Sequence, residues 1–67
     1  MDPTATYPRI AFADYLRAEA DRAREVACAP GIGDETRRAI LHYAIACYRI
    51  AGMEGHARRC AAEADLA

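Results

Sequence analysis

The stretch that decides the fold is residues 48–64, which read YRIAGMEGHARRCAAEA. Five of its residues form the pattern: the aromatic Tyr48, then Gly52, then Ala57, Ala61 and Ala64. A glycine at this place can end a helix in a left-handed turn. Small residues at intervals of three and four then let the following helix pack closely against the preceding one. The stretch therefore predicts a helical hairpin.

The rest of the chain completes an all-α, compact three-helix bundle. Helices are predicted at about residues 9–28, 35–51 and 53–66, within a single helical domain of residues 9–67. Residues 1–8 hold two prolines and two threonines and are expected to form a loosely ordered lead-in. The second and third helices are expected to run antiparallel.

Core positions follow from the helical period. In the first helix one stripe is expected to face the core: Phe12, Leu16, Ala20, Ala23 and Ala27. Tyr48 in the second helix is also expected to be core. Asp34 follows the helix-breaking segment 29–33 and is predicted to cap the N-terminus of the second helix with its carboxylate.

The composition predicts a protein that needs a partner. Of 67 residues, 17 are alanine and only 12 are Ile, Leu, Val, Met or Phe. Alanine favours helix but buries little apolar area, so a chain of this size is marginally stable alone. An Ala- and Arg-rich chain without lysine is typical of a GC-rich bacterial or phage genome.

The second helix is apolar around most of its circumference, more than its two alanine-faced neighbours can cover. An exposed apolar patch is expected where Tyr43, Cys47 and Ile50 lie. Arg49 beside the patch and Tyr15 on the flank of the first helix are further candidate contacts, because tyrosine and arginine are common interface anchors.

The predicted hairpin resembles a tetratricopeptide (TPR) repeat over residues 38–64. The positions that carry the resemblance are Leu41, Ala44, Ile45, Tyr48, Gly52, Ala57, Ala61 and Ala64. Three of them depart from the family's preferred residues. Leu41 stands where the family prefers Trp, Ile45 where it prefers Gly, and Ala61 where it prefers an aromatic residue. The resemblance implies protein docking, and a lone repeat implies a partner or an oligomer.

No catalytic residue, cofactor or metal ion is expected. His56 and Cys60, at i and i+4, are the best candidates for a zinc pair, but the chain contains no C-x2-C knuckle. A zinc-stabilised helical protein remains an alternative. Ser and Lys nucleophiles are absent, and no phosphate-binding glycine motif is present.

A small helix-turn-helix DNA-binding regulator is the other alternative. Arg58 and Arg59 would then face DNA, and Arg37 and Arg38 would contact its backbone. The third helix carries no Asn, Gln, Ser, Thr or Lys to read base edges, and the net charge is −1. The balance of charges therefore predicts no nucleic-acid partner.

These patterns together predict a non-catalytic protein–protein interaction module that docks through an apolar helix face. It is expected to act as an adaptor or an inhibitor of a larger bacterial or phage-targeted assembly, or to form a homodimer. The sequence contains neither an 18-residue apolar run nor a signal-peptide pattern, so no membrane contact and a cytoplasmic location are expected.

Overall fold

Three helices connected by short turns make up the computed structural model, which describes the backbone of residues 7–66 and the side chains of residues 11–65. The first helix, α1, spans Tyr7–Ala27; α2 spans Asp34–Ile50; α3 spans Glu54–Leu66. The predicted all-α three-helix fold is confirmed. Residues 1–6 of the predicted lead-in lie outside the described residues, whereas Tyr7 and Pro8 already belong to α1.

The helices are arranged with α2 between its two neighbours. Both α1 and α3 pack along α2, and the Cα envelope measures 50 × 21 × 12 Å. The molecule is nearly twice as wide as it is thick, because α1 and α3 both pack on α2 and only weakly on each other. Such an arrangement leaves broad surfaces of the outer helices facing solvent.

Antiparallel packing of α2 and α3 follows from their contacts. The Tyr48 ring lies beside the His56 ring near the turn, and Leu41 clusters with Ala64 at the far end. As residue numbers fall along α2 they rise along α3. The hairpin predicted from the spacing is therefore present in the structure.

The turn between α2 and α3 forms as predicted. Gly52 has a φ of 81°, and its N–H donates to the carbonyl of Arg49 at 3.0 Å. The N–H of Met53 donates to the carbonyl of Tyr48 at 2.8 Å. This pair of bonds is the Schellman arrangement, which satisfies carbonyls that a helix end leaves without a partner.

The start of α2 differs from the prediction. Gly33, not Asp34, is the N-cap residue, with extended backbone angles and no capping side chain. The N–H of Arg37 donates to the carbonyl of Gly33 at 2.8 Å, so the first helical bond begins one residue earlier than expected. The Asp34 carboxylate instead accepts from the Arg37 guanidinium at 3.1 Å. The predicted Asp34 cap is therefore wrong.

Half of the buried core residues are alanine. Among the side chains of residues 11–65, two larger than alanine are wholly buried, Tyr48 and Cys60. Around them lies one cluster with Leu16, Ala20, Ala23, Ala44, Ile45, Cys47 and Ala57. A second cluster joins the three helices at one end through Ala27, Leu41 and Ala64. Four of the five predicted core residues of α1 are buried, and Phe12 is the exception.

Candidate interaction surface

The pair formed by α1 and α2 has two sides, and α3 covers one of them. On the covered side, Arg24 of α1 donates to Glu63 of α3 at 2.7 Å, and the ring centroids of Tyr48 and His56 lie 5.2 Å apart. The other side is marked by a bond from the Tyr43 hydroxyl to Glu19 at 2.9 Å.

Helical geometry places these two sets of contacts on opposite sides. Tyr43 and Tyr48 are five residues apart on α2, and Glu19 and Arg24 are five residues apart on α1. Five residues correspond to a rotation of about 140° around a helix axis. The side marked by Tyr43 and Glu19 is therefore turned away from α3.

The exposed large hydrophobic side chains gather on this uncovered side, which we name the α1/α2 face. Among the side chains of residues 11–65, those classed as exposed and large are Phe12, Tyr15, Val26, Tyr43 and Ile50. Their exposed fractions range from 45% for Val26 to 66% for Ile50. The three from α1 share one stripe with Glu19 and Arg22, at i, i+3, i+7, i+10 and i+14. Ala46, also exposed, lies on the α2 stripe between Tyr43 and Ile50.

α1 and α2 run antiparallel, because Ala27 clusters with Leu41 at one end while Asp21 bonds to Tyr48 nearer the other.

This antiparallel register brings the apolar ends of the two stripes together. Phe12 lies two turns before Glu19 on α1, and Ile50 lies two turns after Tyr43 on α2. Because the helices run in opposite directions, both steps move the same way by about 10 Å. Phe12 and Ile50 therefore lie at the same end of the α1/α2 face.

The centre of the face is polar and internally bonded. Glu19 accepts from the Tyr43 hydroxyl through one carboxylate oxygen, and from Arg22 at 2.7 Å through the other. The bond to Glu19, followed by one to Cys47, raises the pKa of Tyr43 to about 12. The Tyr43 hydroxyl proton is thus already used in a hydrogen bond within the chain, and Tyr43 presents mainly its ring to solvent.

Three of the five predicted contact residues lie on this face: Tyr15, Tyr43 and Ile50. Cys47 does not, because it is only 5% exposed and belongs to the core cluster with Leu16. The expectation that Cys47 is exposed is therefore wrong. Arg49 is exposed, but its guanidinium lies 3.8 Å from Glu54 near the start of α3, away from the face.

Two members of the face were not found from the sequence. Phe12 was expected in the core but is 55% exposed, and Val26 was not singled out. Phe12 lies on the uncovered stripe with Tyr15, level with Ile50, the last residue of α2. The signal that could have revealed both is the heptad-like spacing from Phe12 through Tyr15 to Val26.

The covered side holds a polar junction. The hydroxyl of Tyr48 donates to the Asp21 carboxylate. Burial raises the pKa of Tyr48, and the bond to Asp21 adds to the shift. Burial also raises the pKa of the Cys60 thiol, despite the opposing charge of Arg24. A raised pKa disfavours the thiolate that a nucleophile or a metal ligand requires.

The zinc candidates His56 and Cys60 acquire no further ligands. Among the side chains described for residues 11–65, no group of three or more His, Cys, Asp or Glu is placed to hold a metal ion. His56 stacks at a tilt against Tyr48, and Cys60 is fully buried. Both positions are accounted for by packing.

A shallow groove of about 380 Å³ runs along α1 beside this junction. It is lined by Asp21, Arg24, Glu25 and Cys28. The guanidinium of Arg24 is bonded to Glu63, so this groove offers little free positive charge.

The arginines of the DNA-binding alternative are dispersed. Arg37 pairs with Asp34 at 3.1 Å, and Arg58 lies 3.9 Å from Glu54. Arg38 and Arg59 are exposed. Neighbouring carboxylates reduce the local positive potential that phosphate binding requires.

The chain matches no protein-family model, no curated protein and no solved structure. The resemblance to a TPR hairpin therefore stays a prediction. None of the helices within residues 7–66 is both long enough and apolar enough to cross a membrane.

Proposed function

We propose that this chain is a non-catalytic protein-interaction module that docks through the α1/α2 face. One observation carries the proposal: the five exposed large hydrophobic side chains all belong to the side of the α1/α2 pair that α3 leaves uncovered. In the cytoplasm such a module would serve as an adaptor or an inhibitor within a larger bacterial or phage-targeted assembly.

The area of the face is large for a chain of this size. Phe12, Tyr15, Tyr43 and Ile50 are each at least half exposed. Large side chains of this kind leave roughly 400–500 Å² of apolar surface in water at that exposure. The largest patch on a typical monomer covers about 300–600 Å² and often marks a binding site. The α1/α2 face is thus within the range expected of an interface.

The chemistry of the face suits docking rather than catalysis. Aromatic side chains provide large contact area with few rotatable bonds, so ordering them on binding has a small entropic cost. Tyr43 is further restrained by its bond to Glu19. Tyr15 and Tyr43 are therefore the expected anchors, and the Glu19–Arg22 pair would orient the partner.

The α2/α3 hairpin supports the same proposal. Ala57 and Ala64 of α3 are buried and Ala61 is half-buried, so α3 packs closely on α2. The hairpin resembles a TPR repeat, a family of protein-docking scaffolds, and in this chain it would hold α2 in place while its other side binds.

Photo-crosslinking tests the proposal even though the partner is unidentified. A benzophenone amino acid would replace Ile50 on the face or, as the control, Arg59 on α3, which is also exposed. In host cells we expect protein adducts from position 50 and few from position 59. Equal adducts from both positions, or none from position 50, would refute the proposed docking face.

A pair of charge insertions provides a second readout. Ala46 lies on the face and Ala62 on α3; both are exposed, and each is four residues before the end of its helix. Ala46→Asp and Ala62→Asp therefore carry the same helix-propensity change. We expect the first to abolish the adducts from position 50 and the second to leave them unchanged.

A further inference from the structure

We propose that the occupant of the α1/α2 face is a second copy of this chain, packed face to face about a twofold axis with Glu19 of each copy beside Arg22 of the other. This inference rests on the proposed function and identifies the docking partner as a second copy of the chain. The experiments below distinguish failure of the homodimer from failure of the docking face.

In the part of the chain that the structure describes, the α1/α2 pair is covered on one side only. Stable domains bury their apolar faces between two packed layers. In this chain α3 supplies the cover on one side, and much of the core is alanine, which buries little area. A second copy placed on the open side would complete a four-helix core from two α1 and two α2 helices, with each α3 on the outside.

The exposed apolar area of the α1/α2 face suits one half of a dimer interface. A standard protein–protein interface buries about 800 Å² on each partner. About 60% of that surface is apolar, which corresponds to roughly 480 Å². The four side chains of the face that are at least half exposed leave roughly 400–500 Å² of apolar surface in water. The face therefore matches one half of a standard interface.

The charges on the α1 stripe are complementary to those of the same stripe in a second copy. The α1 stripe from Phe12 to Val26 has one acid, Glu19, and one base, Arg22, near its centre. A twofold axis through the centre repeats the same patch on both copies, so each copy must offer both signs of charge. The Arg22 side chain is 67% exposed, which leaves guanidinium donors for a second carboxylate.

The first experiment measures mass across a dilution series by light scattering and sedimentation equilibrium. For the wild-type chain we expect a dimer with a micromolar dissociation constant. Ala46→Asp should weaken dimerisation by at least about tenfold, because an unpaired carboxylate in an apolar interface is strongly disfavoured. Ala62→Asp should dimerise like the wild type.

Circular dichroism of each variant checks that the monomer still folds. If Ala46→Asp loses helicity, Tyr15→Arg replaces it, since Tyr15 is 58% exposed and belongs to neither core cluster. A wild-type chain that is monomeric at about 100 µM, or an Ala46→Asp variant that dimerises normally, would overturn the inference.

A charge-swap experiment tests the pairing across the axis. Glu19→Arg and Arg22→Glu each place like charges together in a homodimer, so each should be mostly monomeric alone. Mixed in equal amounts, the two variants restore opposite charges at both contacts and should form a heterodimer. Failure of the mixture to associate would overturn the proposed pairing.

The crosslinking readout separates this inference from the proposed function. Adducts from position 50 that contain two copies of the chain support both the homodimer and the docking face. A monomeric wild-type chain with adducts to a different protein overturns the homodimer and keeps the docking face. A monomeric chain without adducts from position 50 overturns both.

Discussion

The hydroxyl of Tyr48 donates a hydrogen bond to the carboxylate of Asp21, which links the C-terminal part of α2 to α1. The same ring is wholly buried and lies against His56 of α3. One side chain therefore contacts both neighbouring helices. In a core whose residues are half alanine, Tyr48 supplies much of the large-residue packing.

Removal of the Tyr48 hydroxyl is expected to destabilise the fold. Hydrogen bonds to charged groups contribute about 1.5–3 kcal/mol, but Asp21 is half exposed and would be rehydrated, so Tyr48→Phe should cost about 1–2 kcal/mol. For a domain of this size, each kcal/mol lowers Tm by about 4–8 °C. Thermal and urea unfolding monitored by circular dichroism would measure the change.

Tyr15→Phe is the matched control, because it removes the same hydroxyl from an exposed ring. Its effect on the free energy of unfolding should stay within about 0.5 kcal/mol. If the two variants were equally stable, the bond to Asp21 would contribute nothing to the fold.

The sequence predicted those parts of the fold that depend on local spacing. Gly52 ends α2 with a left-handed turn, and Tyr48 is buried, as the pattern of residues 48–64 indicated. Both follow from the helical period and from the conformational freedom of glycine. Neither depends on how far the neighbouring helices extend.

The parts that sequence reasoning missed depend on tertiary packing. Phe12 is one turn from Leu16 and only about 40° away around the helix. Leu16 is nevertheless buried while Phe12 is exposed, because Phe12 lies on the uncovered stripe beside the last residue of α2. The cap at Gly33 rather than Asp34 likewise depends on the path of the preceding loop, which fixes the first carbonyl to accept a helical bond.

The ion pair between Arg24 and Glu63 joins the first helix to the third at 2.7 Å. The two side chains are 31% and 44% exposed, so solvent screens the pair and its coupling should be about 0.5–1 kcal/mol. A double-mutant cycle with Arg24→Met and Glu63→Gln would measure that coupling in urea unfolding. Added salt should reduce it.

The control cycle uses Arg58 and Glu54, which are 3.9 Å apart and 80% and 55% exposed. Their coupling should be close to zero, at most about 0.3 kcal/mol. Equal coupling energies in the two cycles would show that the link between α1 and α3 has no special contribution to stability.

Alkaline pH is expected to destabilise the fold through its tyrosines. The pKa of Tyr43 is raised to about 12 by its bond to Glu19, and burial raises the pKa of Tyr48. Above about pH 10 the unfolded chain loses phenol protons that the folded chain keeps. The free energy of unfolding should therefore fall as pH rises from 10 towards 12.

Substitution of Glu19 tests the cause of the Tyr43 shift. Glu19→Gln removes the negative charge that the phenol proton contacts, so the pKa of Tyr43 should fall from about 12 towards about 10. Ultraviolet titration of phenolate would follow it, with Tyr43→Phe identifying the transition. An unchanged titration curve would show that Glu19 does not hold the hydroxyl in solution.

Two glycines near the α2/α3 turn should respond in opposite ways to replacement by alanine. Gly52 has a φ of 81°, and a Cβ there would meet no atom within 4 Å. The cost of Gly52→Ala is therefore conformational, about 1–2 kcal/mol for a left-handed residue. Gly55 is the second residue of α3, with equally open space and no positive φ. Gly55→Ala should stabilise the fold by up to about 0.5 kcal/mol, less than in a helix interior, because alanine loses less backbone entropy in a helix. Urea unfolding of both variants measures the two changes, and a shift of the same sign in both would contradict the backbone conformation assigned to Gly52.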